Sequence, residues 1–332
     1  MLKKNISKDK RIIPIVLFII LSLTAFLYIK YSKPNIIPAN DTITVALPPL
    51  DASTLMIVAD EKGYFSKVGL NLEISSIDFG TSSFQKMKNG DLDLIAVSDA
   101  AIANAITQKI EFVTLSTLHF ANENVQIYAR KSQGISNFKE IKGKKIGVVK
   151  NDVGDYFLSE LLNHLNMSTK EVTIYYGTRV DLQEKLITGD LDAVVMRRRY
   201  GYELKKQLDN DLFISSGNGN YYATYSLVAD KDWYDNNKEK VEKLFEALIM
   251  ASGYANENKE KTINLVSKKL SIDKQFLETI WDKSEFKLSS GYSVQGIVNA
   301  EIQFLIENNE NLSPVNNTDQ FFDYSLLKKS LE

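Results

Sequence analysis

Short β-branched runs alternate with amphipathic stretches along most of the chain, which predicts strands separated by helices. Strands are expected at Ile43–Leu47, Leu70–Ile77, Leu92–Val97 and Phe112–Leu118, with helices at Thr54–Lys62, Ser82–Lys88 and Ala100–Thr107 between them. Asn124–Arg130 follows as a strand with no helix before it. The rhythm then restarts: strands at Lys145–Val149, Val172–Tyr176, Leu191–Met196 and Leu212–Ser215 alternate with helices at Asp155–Leu165, Leu182–Ile187 and Tyr202–Leu208. Such βαβ alternation implies parallel sheets. Tyr222–Ala229 reads as one more strand, and from Trp233 onward the pattern reads as helical, clearest in Lys238–Asn256, Glu260–Lys269 and Lys274–Lys283, then Gly291–Glu307 and Tyr324–Leu331.

One motif occurs twice. Gly90-Asp91-Leu92-Asp93 and Gly189-Asp190-Leu191-Asp192 each stand between a predicted helix and a predicted strand. Paired aspartates suggest a metal or acid–base site. The reading favoured here is punctuation: a left-handed glycine closes the helix and Asp-Leu-Asp leads into a buried strand. The echo then implies two similar α/β lobes.

The N-terminal pattern is different. Ile12–Ile29 is an uncharged apolar run of 18 residues, about 27 Å as a helix and just long enough to span a bilayer core. Five basic residues precede it and two follow, which places residues 1–11 in the cytoplasm and the body outside. An uncleaved anchor is favoured, because no small-x-small site follows the run directly. A cleaved signal peptide, leaving a secreted or periplasmic body, is the alternative. Residues 30–42, with Pro34 and Pro38, read as a linker.

Composition narrows the function. The formal charge of the 332 residues is −2, but the first 40 carry seven basic residues against Asp9 alone, a net of +6 that leaves the body at −8. An acidic body argues against a nucleic-acid partner. The chain has no cysteine, so disulfides, thiol nucleophiles, cysteine-held metals and a lipoprotein anchor are all excluded. His119 and His164 alone argue against a multi-histidine zinc site.

In open parallel sheets, ligands bind where strands end and helix N-termini begin. That rule selects Ser53 and Thr54 after the first strand; Gly80, Thr81 and Ser82 after the second; and Ser98 and Asp99 after the third. In the second lobe it selects Asn151, Asp152, Val153 and Gly154, then Tyr176 and Thr178, then Arg197–Tyr200 with its Arg197-Arg198-Arg199 run. Simple helix capping is the competing role for Ser53, Ser82 and Asp99. A guanidinium at a strand end suits a carboxylate, sulfonate or phosphate, and Arg197 or Arg199 is expected to face the cleft. A solvated basic face is the competing role. Among Tyr221, Tyr222 and Tyr225, Tyr222 is chosen as the ring that stacks on a ligand; His119 is a weaker candidate for contact.

The order of these motifs resembles the solute-binding proteins of ABC importers with the type II periplasmic-binding-protein fold. The carrying residues are Ala59-Asp60-Glu61-Lys62-Gly63-Tyr64-Phe65, Val68-Gly69-Leu70, both Gly-Asp-Leu-Asp turns, and Phe138–Val148. Within that group the chain is most similar to the nitrate/sulfonate/taurine and thiamine-pyrimidine-precursor binders. The resemblance implies a two-lobed α/β fold, two parallel-core sheets joined by a hinge, with residues 43–128 and 231–332 in one lobe and 129–230 in the other. Asn124–Arg130 and Tyr222–Ala229 would be the crossings. It further implies a small sulfonate-, nitrate- or pyrimidine-precursor-like solute, an importer permease as partner, and no cofactor or catalysis; the Arg197–Arg199 run and the helix N-termini lean that solute toward an anion. A scaffold or sensory partner without transport is the alternative. An enzyme of the same fold is disfavoured, since the pyrimidine synthase that shares it depends on a cysteine-rich motif.

Overall fold

Two sheets are built on one plan. The computed structural model describes residues 42–77, 80–217, 222–290 and 292–332. The basic tail, the apolar run 12–29 and the linker up to residue 41 lie outside the described residues, as do Phe79, Tyr221 and residues 218–220. Among the described residues, no helix is long and apolar enough to cross a membrane.

The strands are β1 Thr42–Leu47, β2 Asn71–Ser76, β3 Leu94–Ser98, β4 Val113–Asn122, β5 Val125–Arg130, β6 Lys145–Val148, β7 Thr173–Tyr176, β8 Ala193–Arg197, β9 Leu212–Ser215, β10 Tyr222–Ala229 and β11 Ser284–Ser289. The first sheet runs β2-β1-β3-β10-β4-β11 and the second β7-β6-β8-β5-β9. In each, three neighbouring strands are parallel, then one antiparallel strand is inserted that arrives from the other half of the molecule: β10 in the first sheet and β5 in the second. The expected parallel cores are present, and β5 and β10 are the antiparallel strands added to them. A chain that crosses from one sheet to the other returns in the opposite direction. Asn124–Arg130 and Tyr222–Ala229 are therefore strands of one sheet each. The first crossing itself is the short Glu123-Asn124 link, and the second falls between Ser215, which ends β9, and Tyr222, which begins β10.

Helices α1 Thr54–Glu61, α2 Gly80–Lys88 and α3 Asp99–Thr107 connect the first sheet, and α4 Val153–His164, α5 Arg179–Thr188 and α6 Arg198–Leu208 the second. Helices α7 Lys238–Glu257, α8 Lys259–Leu270, α9 Lys274–Ile280, α10 Tyr292–Glu307 and α11 Ser325–Leu331 complete the first half. The central strands carry the unbroken runs Leu-Ile-Ala-Val-Ser and Ala-Val-Val-Met-Arg and are buried at all five positions, as expected for strands covered on both faces. One face of the first sheet packs on α1 and α7–α9, the other on α2, α3 and α10.

β11 departs from the helical reading after Trp233. Helix α9 ends at Ile280, and Ser-Glu-Phe-Lys-Leu-Ser then buries Phe286 and Leu288 while exposing Glu285 and Lys287. That alternation has a period of two, the strand period.

The Gly-Asp-Leu-Asp turns do the same work in both halves. Gly90 (φ 79°) and Gly189 (φ 86°) take the left-handed conformation that glycine tolerates. Asp93 Oδ2 accepts from the Thr44 N–H at 2.7 Å, and Asp192 Oδ2 accepts from the Lys145 N–H at 2.8 Å. Each aspartate thus ties the start of the central strand to the start of its parallel neighbour. The carbonyl oxygens of the same aspartates accept from Asp230 N and Arg130 N, which follow or end the inserted strands.

Candidate functional site

The carboxyl ends of the parallel strands in the two sheets face each other across a cavity of about 590 Å³. Every one of their connecting loops contributes to it. Pro48 and Leu50 come from the loop after β1, Ile77 from the end of β2, and Ser98 with Ala100, Ala101 and Asn104 from β3 and α3. The other wall holds Lys150, Asn151 and Asp152 after β6, Thr178, Arg179 and Val180 after β7, and Arg197 and Tyr200 after β8, with Tyr225 of β10 at the back.

Of the residues expected from the sequence, Ser98, Asn151, Asp152, Thr178 and Arg197 meet there. Asn151 sits at φ 57°, and its carbonyl accepts from the Asn104 side chain across the cleft at 3.3 Å. Nearby, the Tyr156 and Phe304 rings meet edge-on at 5.5 Å, a second contact between the halves. Thr178 caps α5 by accepting from the Asp181 N–H at 3.3 Å.

Most of the others are placed elsewhere, for local reasons. Ser53 and Thr54 are fully buried, their hydroxyls donating to the Pro48 and Asp51 carbonyls at 2.6 Å each, so they staple the turn that presents Pro48 and Leu50. Gly80 and Thr81 open α2; Ser82 is exposed, and the buried Ser83 lines the cavity instead. Asp99 is fully buried beneath the wall: it accepts from Ala100 N at 2.9 Å and from Thr224 N at 2.7 Å, fastening α3 to β10. Burial pushes its carboxyl pKa up, partly offset by the Thr224 N–H and by Arg197. Val153 belongs to the second half's core. Gly154 brings α4 so close to β8 that an added Cβ would lie 2.9 Å from the Val195 carbonyl oxygen. Tyr176 is 47% exposed, its hydroxyl 3.5 Å from Asp155. Tyr222 stacks on Phe120 at 5.0 Å rather than on a ligand position.

Tyr225 takes the place expected of Tyr222. The two are three residues apart on a strand, hence on opposite faces. Asn104, Lys150 and Arg179 were not singled out from the sequence, although two of them adjoin named positions; Tyr200 ends the Arg197–Tyr200 loop expected to carry ligand contacts. Asn104 follows Ala100 and Ala101 on one helical face, a period-3.6 signal visible in the sequence.

Charge is uneven across the lining. Arg197 is held by Asp152, 3.4 Å from its Nη2, and lies over the Tyr225 ring at 5.5 Å. Arg179 donates to the Tyr200 hydroxyl at 2.6 Å, and Lys150 lies 5.6 Å above the Tyr176 ring. Three cations thus line the described cavity against one acid, Asp152, with Asp99 behind. Leu50, Ile77, Val97, Val180 and Tyr225 are among its apolar lining. Such a site is suited to an anionic head held by charge-assisted hydrogen bonds with an apolar body packed beside it.

Residues 52–262 match the family described as NMT1/THI5 like. The chain belongs to the NMT1/THI5-like family. The expected resemblance to solute-binding proteins is borne out by a relative and by solved structures of that description. This NMT1/THI5-like chain is 20% identical over 288 residues to a Brucella abortus protein provisionally described as a binding protein, covering 83% of this chain and 88% of that one. In structure it is similar to the periplasmic aliphatic sulphonate-binding protein of Escherichia coli, with a TM-score of 0.69 at 13% identity over 84% of this chain and 95% of the other. It is equally similar to the alkanesulfonate-binding protein of Xanthomonas axonopodis bound to MOPS: TM-score 0.69, 12% identity, 86% and 99% coverage. At such identities the likeness establishes the two-sheet fold.

Behind Tyr225, His119 is fully buried, stacked on Phe286 at 5.0 Å with Nε2 3.5 Å from Asp51. Burial lowers its pKa from 6.5 to about 4, against the pull of Asp51. The unfolded chain therefore binds this proton at a higher pH than the folded one. The stability associated with His119 is full above 6.5 and is lost as pH falls toward 4, by about 3 kcal/mol. Urea unfolding at pH 7 and 4.5 should show a steeper loss for the parent than for His119→Phe; equal slopes would refute the assignment.

Proposed function

We propose that this NMT1/THI5-like protein is an extracytoplasmic receptor that captures a small organic anion and delivers it to an ABC importer, tethered by the apolar run at residues 12–29. The observation that carries the reading is Arg197: a guanidinium only 7% exposed, at the end of the central strand of the second sheet, inside a cavity that both halves build. Asp152 at 3.4 Å and the buried Asp99 behind it hold that guanidinium at the strand end, where charge-assisted hydrogen bonds to an anion are strong. The solved neighbours named for sulfonate binding, and described as periplasmic in one case, support the class of solute and the location. The anion's contacts are assigned to Arg197, Lys150, Arg179, Thr178 and the Asn151 loop, with Ser98, Asn104, Tyr200 and Tyr225 around the body. The same neighbours support a receptor rather than an enzyme.

The test is a thermal-shift and calorimetric panel on the full chain, with alkanesulfonates, taurine, nitrate, small carboxylates and a neutral pyrimidine. At least one organic anion should raise the melting temperature and bind stoichiometrically. Binding of the neutral pyrimidine with no anion effect would overturn the proposed solute class; no shift from any compound would count against the receptor reading.

A further inference from the structure

The three consecutive arginines part company where β8 becomes α6. Arg197 ends the strand and lines the cavity, whereas Arg199 lies 5.8 Å from the Phe276 ring on the outside. Arg198, between them, is only 6% exposed and turns toward the link that joins the two sheets. Its N–H donates to the Asn124 carbonyl at 2.7 Å. Its Nη1 donates to the Asn122 carbonyl at 3.0 Å, and its Nη2 to the Ser284 hydroxyl at 2.8 Å.

Those partners straddle the crossing. Asn122 ends β4 and Ser284 begins β11, both in the first sheet, while Arg198 grows from the second. The crossing residue between them, Glu123, has φ 56° and is itself paired with Lys283. Asp51 and Glu123 supply the negative field at Arg198, and Asp51 belongs to the loop whose Pro48 and Leu50 line the cavity. Beside the guanidinium is a gap of about 220 Å³ walled by Tyr128 and Gly201 of the second half and Phe276 and Thr279 of the first. The two halves thus face each other across open space beside Arg198.

We infer that Arg198 is a positioning residue for solute binding: it fastens the two halves at one angle, and so sets affinity without touching the solute. The two guanidinium hydrogen bonds to the first sheet, both from a charged group, are satisfied together only at one hinge angle. Loosening them spreads the population over other angles, and apparent affinity falls with the fraction that remains competent. Because Arg197 is the preceding residue, a solute that pulls on Arg197 acts on the same strap.

The inference rests on the receptor reading, so its test includes a measurement that needs no solute. The cysteine-free chain accepts a label pair at Lys86→Cys and Glu184→Cys, exposed positions on α2 and α5. Electron–electron distance measurements on solute-free full chain should give a broader distribution with Arg198→Met than with the parent arginine. Arg198→Lys should lie between the two, and Ser284→Ala, which keeps the guanidinium, should shift in the same direction by less. For whichever anion the panel identifies, Arg198→Met should weaken affinity about tenfold. If Arg198→Met does not fold, Ser284→Ala and Arg198→Lys decide the matter. Unchanged distributions in the folded variants would overturn the inference, whatever the panel finds; altered distributions without any solute found would uphold the strap and count only against the receptor reading.

Discussion

Arg197→Ala is expected to weaken binding of the organic anion about 100-fold, the largest loss of any single cavity substitution. Truncating one partner of a desolvated, hydrogen-bonded ion contact costs about 3 kcal/mol, and Arg197 is the most deeply buried of the three lining cations. The variant should still fold, with a modest loss of stability, because Arg197 also moderates the buried Asp99 carboxyl. Calorimetry against the anion found by the panel measures the effect, with Arg199→Ala as the control that leaves affinity unchanged. Retention of affinity within threefold in Arg197→Ala would remove the anchor from the proposed site.

The second large effect is on stability. Asp99→Ala strips the acceptor from Ala100 N, Thr224 N and the Thr224 hydroxyl, all buried. Unsatisfied buried donors cost about 1–3 kcal/mol each, so a total of about 4 kcal/mol and a melting point lower by roughly 10 °C are expected. The start of α3 would also loosen from β10, moving Ser98 and Tyr225. A moderate fall in affinity should therefore accompany the fall in melting temperature. A melting temperature within about 2 °C of the parent would show that Asp99 is not the fastener its bonds suggest.

These two residues mark what could be read from the chain and what could not. Both were named at strand ends, because hydrophobic periodicity and strand-to-helix transitions locate those ends. Arg197 enters the cavity; Asp99, one residue beyond Ser98, faces inward to the sheet. Ser53 and Thr54 are turn staples for the same reason: a short hydroxyl beside a tight turn finds its own chain's carbonyl first. Choosing Tyr222 over Tyr225 was a misassigned face, and strand alternation distinguishes the two once the register of β10 against β3 and β4 is known. β11 was passed over because its period-two run sits between helices. Its pairing partner, β4, lies more than 160 residues earlier.

Local pattern alone determined the strands and helices up to Ala229, the twofold echo at Gly-Asp-Leu-Asp, and the loops that carry the cavity. Each of these depends on side-chain periodicity and on capping or left-handed residues within a few positions. Tertiary structure alone decided which side chain of each loop points into the cavity, and how the arginine triplet divides into an anion anchor, a hinge strap and an outer contact. That choice depends on β5 and β10, which are inserted into their sheets from the other half. Their register is set by pairing between segments about 70 to 130 residues apart, a range over which local periodicity carries no information.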